Sequence, residues 1–175
     1  MIEKMLSAIE TVGKWAGAAA AVFVFGIAVL IVAEIVSRSF LGISLSFAWE
    51  FSAYFFATSV FCGAAYTMHT GGHVRVALFR GFLDERKNHI MDLAATAVGA
   101  VVAFFLSYSL ILFAWRSFVR GSVSPTVEET PLVIPQAAIA FGATLFALQV
   151  LARLIRLVRN EPPEDEAARE SFTVE

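Results

Sequence analysis

The stretch Glu34-Ile-Val-Ser-Arg38-Ser-Phe-Leu-Gly-Ile-Ser-Leu-Ser-Phe-Ala-Trp49-Glu50 decides the fold. Outward from it, the chain is uncharged on both sides, from Trp15 to Ala33 and from Phe51 to Met68. An Asp, Lys or Arg at mid-bilayer costs about 2.5–3.5 kcal/mol on insertion scales, and Glu is also disfavoured. Ionisable groups held at the edges of long apolar runs therefore mark where helices leave a membrane. Glu34 and Arg38 stand four apart with the acid first, the favourable order for a helical pair.

The whole chain fits this reading. Its 175 residues are 58% hydrophobic, too apolar to be covered by a polar surface, and the charges fall in short intervals. Two further uncharged runs follow, Leu93 to Trp115 and Thr130 to Ala152. Each is close to the ~20 residues a spanning helix needs. The fold class expected is an all-α integral membrane protein with four transmembrane helices and short interfacial amphipathic helices. The spans are placed at about 15–38, 49–68, 92–116 and 130–153, within a membrane domain over 15–159.

The connections have distinct characters. Residues 1–14 place Met1, Ile2, Met5, Leu6 and Ile9 at helical spacing, which predicts an interfacial lead-in helix. The small-residue cluster Ala16–Ala21 precedes the most apolar part of span one, the reverse of a cleaved signal peptide. The turn between spans one and two is short and uncharged over Ser39–Ala48, with Gly42 as its turn residue. Trp49 and Tyr66 fit interfacial aromatic anchors at the ends of span two. The loop 69–91 predicts a second interfacial helix, with Arg75, Arg80, Arg86 and Lys87 reaching lipid phosphate. Pro131 and Pro135 open span four, where missing donors are tolerated. Residues 160–175 read as a flexible, solvated tail.

Charge sets the orientation. Lys4, Lys14, Arg75, Arg80, Arg86, Lys87, Arg153, Arg156, Arg159 and Arg169 fall on one side of a four-span topology. Arg38, Arg116 and Arg120 fall on the other. The positive-inside rule puts both termini in the cytoplasm and turns the Glu34–Glu50 hairpin outward.

Span three carries Ala95, Gly99, Ala103 and Ser107 at four-residue spacing, a stripe suited to close helix packing. Chemistry is sparse. His69, His73 and His89 share one loop, but Gly71-Gly72 interrupts any helix there and no Cys or carboxylate completes a ligand set. Cys62 is the single cysteine and has no intrachain partner. No nucleophile–base pair, phosphate loop or basic tract for nucleic acid is present, so no enzyme, metal, cofactor or nucleic-acid role is expected. Glu34 lies about one turn from the end of span one, a poor place for the membrane-buried carboxylate of a small proton-coupled transporter. No span holds a histidine for the haem of a respiratory membrane anchor. Both remain as alternative readings. For Glu34, Arg38, Trp49 and Glu50 two readings stand: an edge ion pair with snorkelling, or docking to a partner protein.

The order Glu34-x-x-x-Arg38-x-Phe40-x-Gly42, Ser46-x-x-Trp49-Glu50, Gly63-Ala64-Ala65, His73-Val74-x-Val76 and Thr130-Pro131-x-x-x-Pro135 resembles the small membrane subunit of tripartite ATP-independent periplasmic (TRAP) transporters, the DctQ-like family. The resemblance covers roughly residues 15–155. It implies a bacterial inner-membrane scaffold paired with a large DctM-like subunit that holds the sodium and substrate sites. It also implies a periplasmic DctP-like binding protein that delivers an organic acid, such as a sialic acid or a dicarboxylate, for symport.

Overall fold

The computed structural model describes residues 2–70 and 84–160. Among these residues are four long helices: α1 (Ile2–Val36), α2 (Ser46–His69), α3 (Glu85–Arg120) and α4 (Val133–Val158). Three reach the length and apolarity needed to cross a membrane, over Leu6–Leu41, Arg86–Arg120 and Val133–Val158. The second helix, 24 residues long, does not reach that standard. Ser52, Tyr54, Thr58, Ser59, Tyr66 and Thr67 interleave its aromatic and aliphatic residues and dilute its apolarity. By this criterion three of the four expected spans are met among the described residues.

The boundary expected near residue 14 is absent. α1 runs unbroken for 35 residues, about 52 Å at 1.5 Å per residue, against a hydrocarbon layer of about 30 Å. Its first half is held on α4 instead of turning away as a separate helix. Gln149 Nε2 donates to the Ile9 carbonyl at 2.6 Å, Leu6 is buried, and Gly13 lets the Gln149 side chain approach the α1 backbone. The interfacial helix expected within the loop 69–91 falls mostly outside the described residues; the end of that loop, from Glu85, is the start of α3.

α1 ends in a single π turn, Ser37–Leu41, closed by the Gly42 N–H donating to the Ser37 carbonyl. Gly42 sits in the left-handed region (φ 67°), which glycine adopts without the steric cost a Cβ brings. At the end of α3, Gly121 (φ 59°) plays the same part.

The helices do not close into a four-membered ring. α1 packs on α2 and α3 on α4, and the two pairs join through α2 against α4 with a smaller contact of α1 on α4. Among the described residues the only helix in substantial contact with α3 is α4. Across the molecule the order is therefore α1, α2, α4, α3.

The seams are lined by small side chains. One cluster joins Ala16, Cys62, Ala65 and Leu145; another joins Ala100, Ala103, Ala147 and Val150; Phe146 packs against both. Lipid tails are as apolar as leucine, so these helices associate by close backbone approach and not by hiding bulky residues from solvent. The bulky apolar residues accordingly face outward, among them Phe25, Val32, Val101, Phe105 and Phe113. The expected packing stripe on α3 is rotated. Ala103 and Ser107 are buried, whereas Ala95 and Gly99 are exposed, and a Cβ at Gly99 would meet nothing within 4 Å. The seam follows Thr96, Ala100, Ala103, Ser107, Ala114 and Ser117 instead. Its steps of four, three, four, seven and three residues track the 3.6-residue turn, which a strict four-residue spacing cannot. Ser107 Oγ and Thr144 Oγ1 share a hydrogen bond at 2.8 Å across it.

Candidate functional site

The α1–α2 turn and the α3–α4 loop meet at one rim of the molecule. Two carboxylates organise that rim, each by a different route.

Glu34, on the last regular turn of α1, reaches forward over the π turn. Its Oε1 accepts from Arg38 Nε at 3.0 Å, from Arg38 Nη2, and from Ser44 Oγ at 2.9 Å. Its Oε2 accepts from the Leu45 backbone N–H at 2.5 Å. Leu45 is the N-cap of α2, so the carboxylate meets one of the orphan donors at a helix start. The Ser37 hydroxyl adds a bond to the Ile43 carbonyl at 2.8 Å. Glu34 is thus a clamp on an otherwise uncharged turn, with both oxygens occupied within the chain.

Glu50, one turn into α2, ties down the second connection. Tyr54 Oη donates to its Oε1 at 2.7 Å, and Thr126 Oγ1 donates to its Oε2. Ser46 Oγ, one turn earlier, donates to Glu128. The loop these residues grip is a small antiparallel excursion. The Ser124 N–H donates to the Thr130 carbonyl at 2.8 Å, and the Leu132 N–H donates to the Ser122 carbonyl at 3.0 Å. Ser124 and Thr126 share a hydroxyl contact at 3.0 Å. Val127 stands out at its tip, 89% exposed.

The four residues assigned to docking from sequence therefore divide. Glu34 and Glu50 are buried, at 8% and 9% exposure, and bonded inside the chain. Arg38 and Trp49 present themselves outward, the Arg38 side chain 61% and Trp49 75% exposed. Tyr66, expected as an anchor at the other end of α2, packs its ring on Gly17 of α1. Of the four lipid-interface residues, Arg86 and Lys87 lie exposed in the first turn of α3, with Lys87 Nζ 3.4 Å from Asp84. Arg75 and Arg80 lie outside the described residues, as does His73.

Sequence reading missed Ser44, Tyr54, Thr126 and the Ser46–Glu128 contact. Tyr54 had a signal, four residues after Glu50 on one helix face. Thr126 had none, being 76 residues from its partner.

No curated protein and no solved structure gives a significant match to the chain. Residues 27–160 match the family model of the tripartite ATP-independent periplasmic transporters, DctQ component, and the matched span holds the π turn, both carboxylate clamps and the loop they grip. The chain accordingly belongs to the DctQ family, the small membrane subunit of a TRAP transporter.

Proposed function

We propose that this chain is the non-catalytic scaffold of its transporter, embracing a large membrane subunit and helping a binding protein dock at the rim. The DctQ family works with DctM and DctP components. The observation that carries the scaffold reading is the open helix order. Among the described residues α3 has one helical neighbour, and the bulky side chains of α1 and α3 point away from the chain's own seams. A surface of that kind suits a broad apolar partner inside a membrane, where shape and not hydrophobicity selects the contact.

In this reading α2 crosses the membrane as a fourth span, shielded on two sides by α1 and α4. Both termini face the cytoplasm, and the clamped rim faces the periplasm. Sodium and the organic-acid substrate bind on the large subunit. Arg38 and Trp49 are the docking groups, while Glu34 and Glu50 hold the rim in shape beneath them.

Co-expression with the large subunit should yield a stable one-to-one complex. Vesicle uptake should require both membrane proteins, sodium and the binding protein. Trp49→Ala should weaken binding-protein docking and leave the membrane complex assembled. Full-rate uptake by the large subunit alone would overturn the scaffold role.

A further inference from the structure

Beside the clamp lies a groove of about 290 Å3 between the end of α1 and the start of α2. Ile31, Ile35 and Ala48 form its apolar wall, and Trp49 flanks it. Arg38 stands at its edge with Nε and Nη2 turned to Glu34 and Ser44, while Nη1 makes no hydrogen bond among the described residues. The Oγ of Ser52, on the same wall, is buried and has no hydrogen-bond partner among them. An orphaned hydroxyl and a guanidinium with one free nitrogen, set around an apolar trough, form a pattern that an amphipathic ligand satisfies.

We propose that this groove is a specific phospholipid site in the leaflet where the α1–α2 turn emerges. The phosphodiester sits on Arg38 Nη1, the glycerol ester oxygens come within reach of Ser52 Oγ, and the upper acyl chain lies on Ile31 and Ile35. Three features select a phospholipid over a protein helix. The trough lies against apolar helix faces and not on the loop surface. Its one cation is at the rim, at the depth where lipid phosphates lie. Trp49 borders it at the level favoured by interfacial aromatics. The Glu34 carboxylate neutralises much of Arg38 and has no oxygen free, so the site reads the phosphate and not the net charge of the headgroup. Phosphatidylethanolamine and phosphatidylglycerol should both bind. The inference does not depend on the scaffold role, though it gives Arg38 to lipid and leaves Trp49 to carry binding-protein docking; it needs only that these helices lie in a membrane.

The test uses the full chain in nanodiscs containing phosphatidylethanolamine with a photoreactive acyl chain, and the same chain co-expressed with its large subunit. Ile31→Trp fills the trough without touching the clamp, and Arg38→Lys keeps the charge but removes the fork. Labelling should concentrate on peptides covering residues 31–52. It should fall at least tenfold in Ile31→Trp and severalfold in Arg38→Lys, with helicity and labelling of the α3 surface unchanged. Equal labelling of the three proteins at 31–52 would overturn the site, leaving only annular lipid. So would loss of that labelling when the large subunit is present, because a protein helix would then own the groove.

Discussion

Gly142 offers the sharpest test of the helix order. It lies on α4 where the two helix pairs meet, and a Cβ there would stand 3.0 Å from Phe61 Cβ, 3.3 Å from Cys62 Sγ and 3.4 Å from the Cys62 backbone nitrogen. Carbon atoms rest about 3.5–4.0 Å apart at their optimum, so α2 must retreat by roughly half an ångström even for alanine. Overpacking of this kind costs about 1–3 kcal/mol. The gain in helix propensity from Gly to Ala returns about 1 kcal/mol of that. Gly142→Ala should therefore be near neutral to about 2 kcal/mol destabilising. Gly142→Leu pushes three further carbons toward a wall that includes backbone and cannot rotate aside, and should cost about 3 kcal/mol, the top of the range. At 1.4 kcal/mol per factor of ten, that is roughly a hundredfold in the folded-to-unfolded ratio. Gly99 is the matched control, since a Cβ there meets nothing within 4 Å. Gly99→Ala should be neutral or stabilising. Titration with sodium dodecyl sulfate in mixed micelles, followed by circular dichroism, reads all three. If Gly142→Leu unfolds at the same detergent fraction as Gly99→Ala, α2 and α4 are not in the contact described here.

The remaining expectations concern the rim and the pinned first helix. Glu34→Gln removes the charge that holds the Leu45 N–H, so amide exchange across Ile43–Leu45 should quicken while α1 itself keeps its protection; unchanged exchange would mean that the clamp is not closed in solution. Glu50→Gln and Thr126→Val break the same contact and should be non-additive when combined, whereas independent losses would deny that α2 grips the α3–α4 loop. Gly42→Ala must adopt a left-handed conformation at about 1–2 kcal/mol, and Gly42→Asn should recover part of this; equal stability of all three proteins would place Gly42 outside that region. Gln149→Leu removes the donor that α4 adds to the Ile9 carbonyl beyond its own helical bond, so a spin-label distance between Ser7 and Val158 should broaden, and an unaltered distribution would show that α1 needs no such pin.

Much of the architecture was legible in the chain because the membrane imposes one-dimensional rules. A run such as Leu93 to Trp115 declares a helix by length and lack of charge, with no knowledge of its neighbours. The acid–base pair Glu34–Arg38 is a matter of helical spacing, and Gly42 announces a turn by its own backbone freedom. The packing stripe was half legible. Ala103 and Ser107 lie in the seam, but Ala95 and Gly99 are small without being buried, because smallness permits close approach and does not by itself say which face is approached.

What the sequence determined alone is therefore local: the helices, the charged rims, the turn glycines and the order of motifs that marks the family. What only the tertiary structure decided is where each group spends its bonding capacity. Glu50 looked outward from the sequence and is turned inward, because Thr126 arrives from a loop 76 residues away. The lead-in helix looked amphipathic and free, yet Gln149, 140 residues on, holds it against α4. Such contacts join residues that no periodicity relates. They exist only once α2 and α4 have packed closely enough, over their alanines and Gly142, to bring two distant segments to one rim.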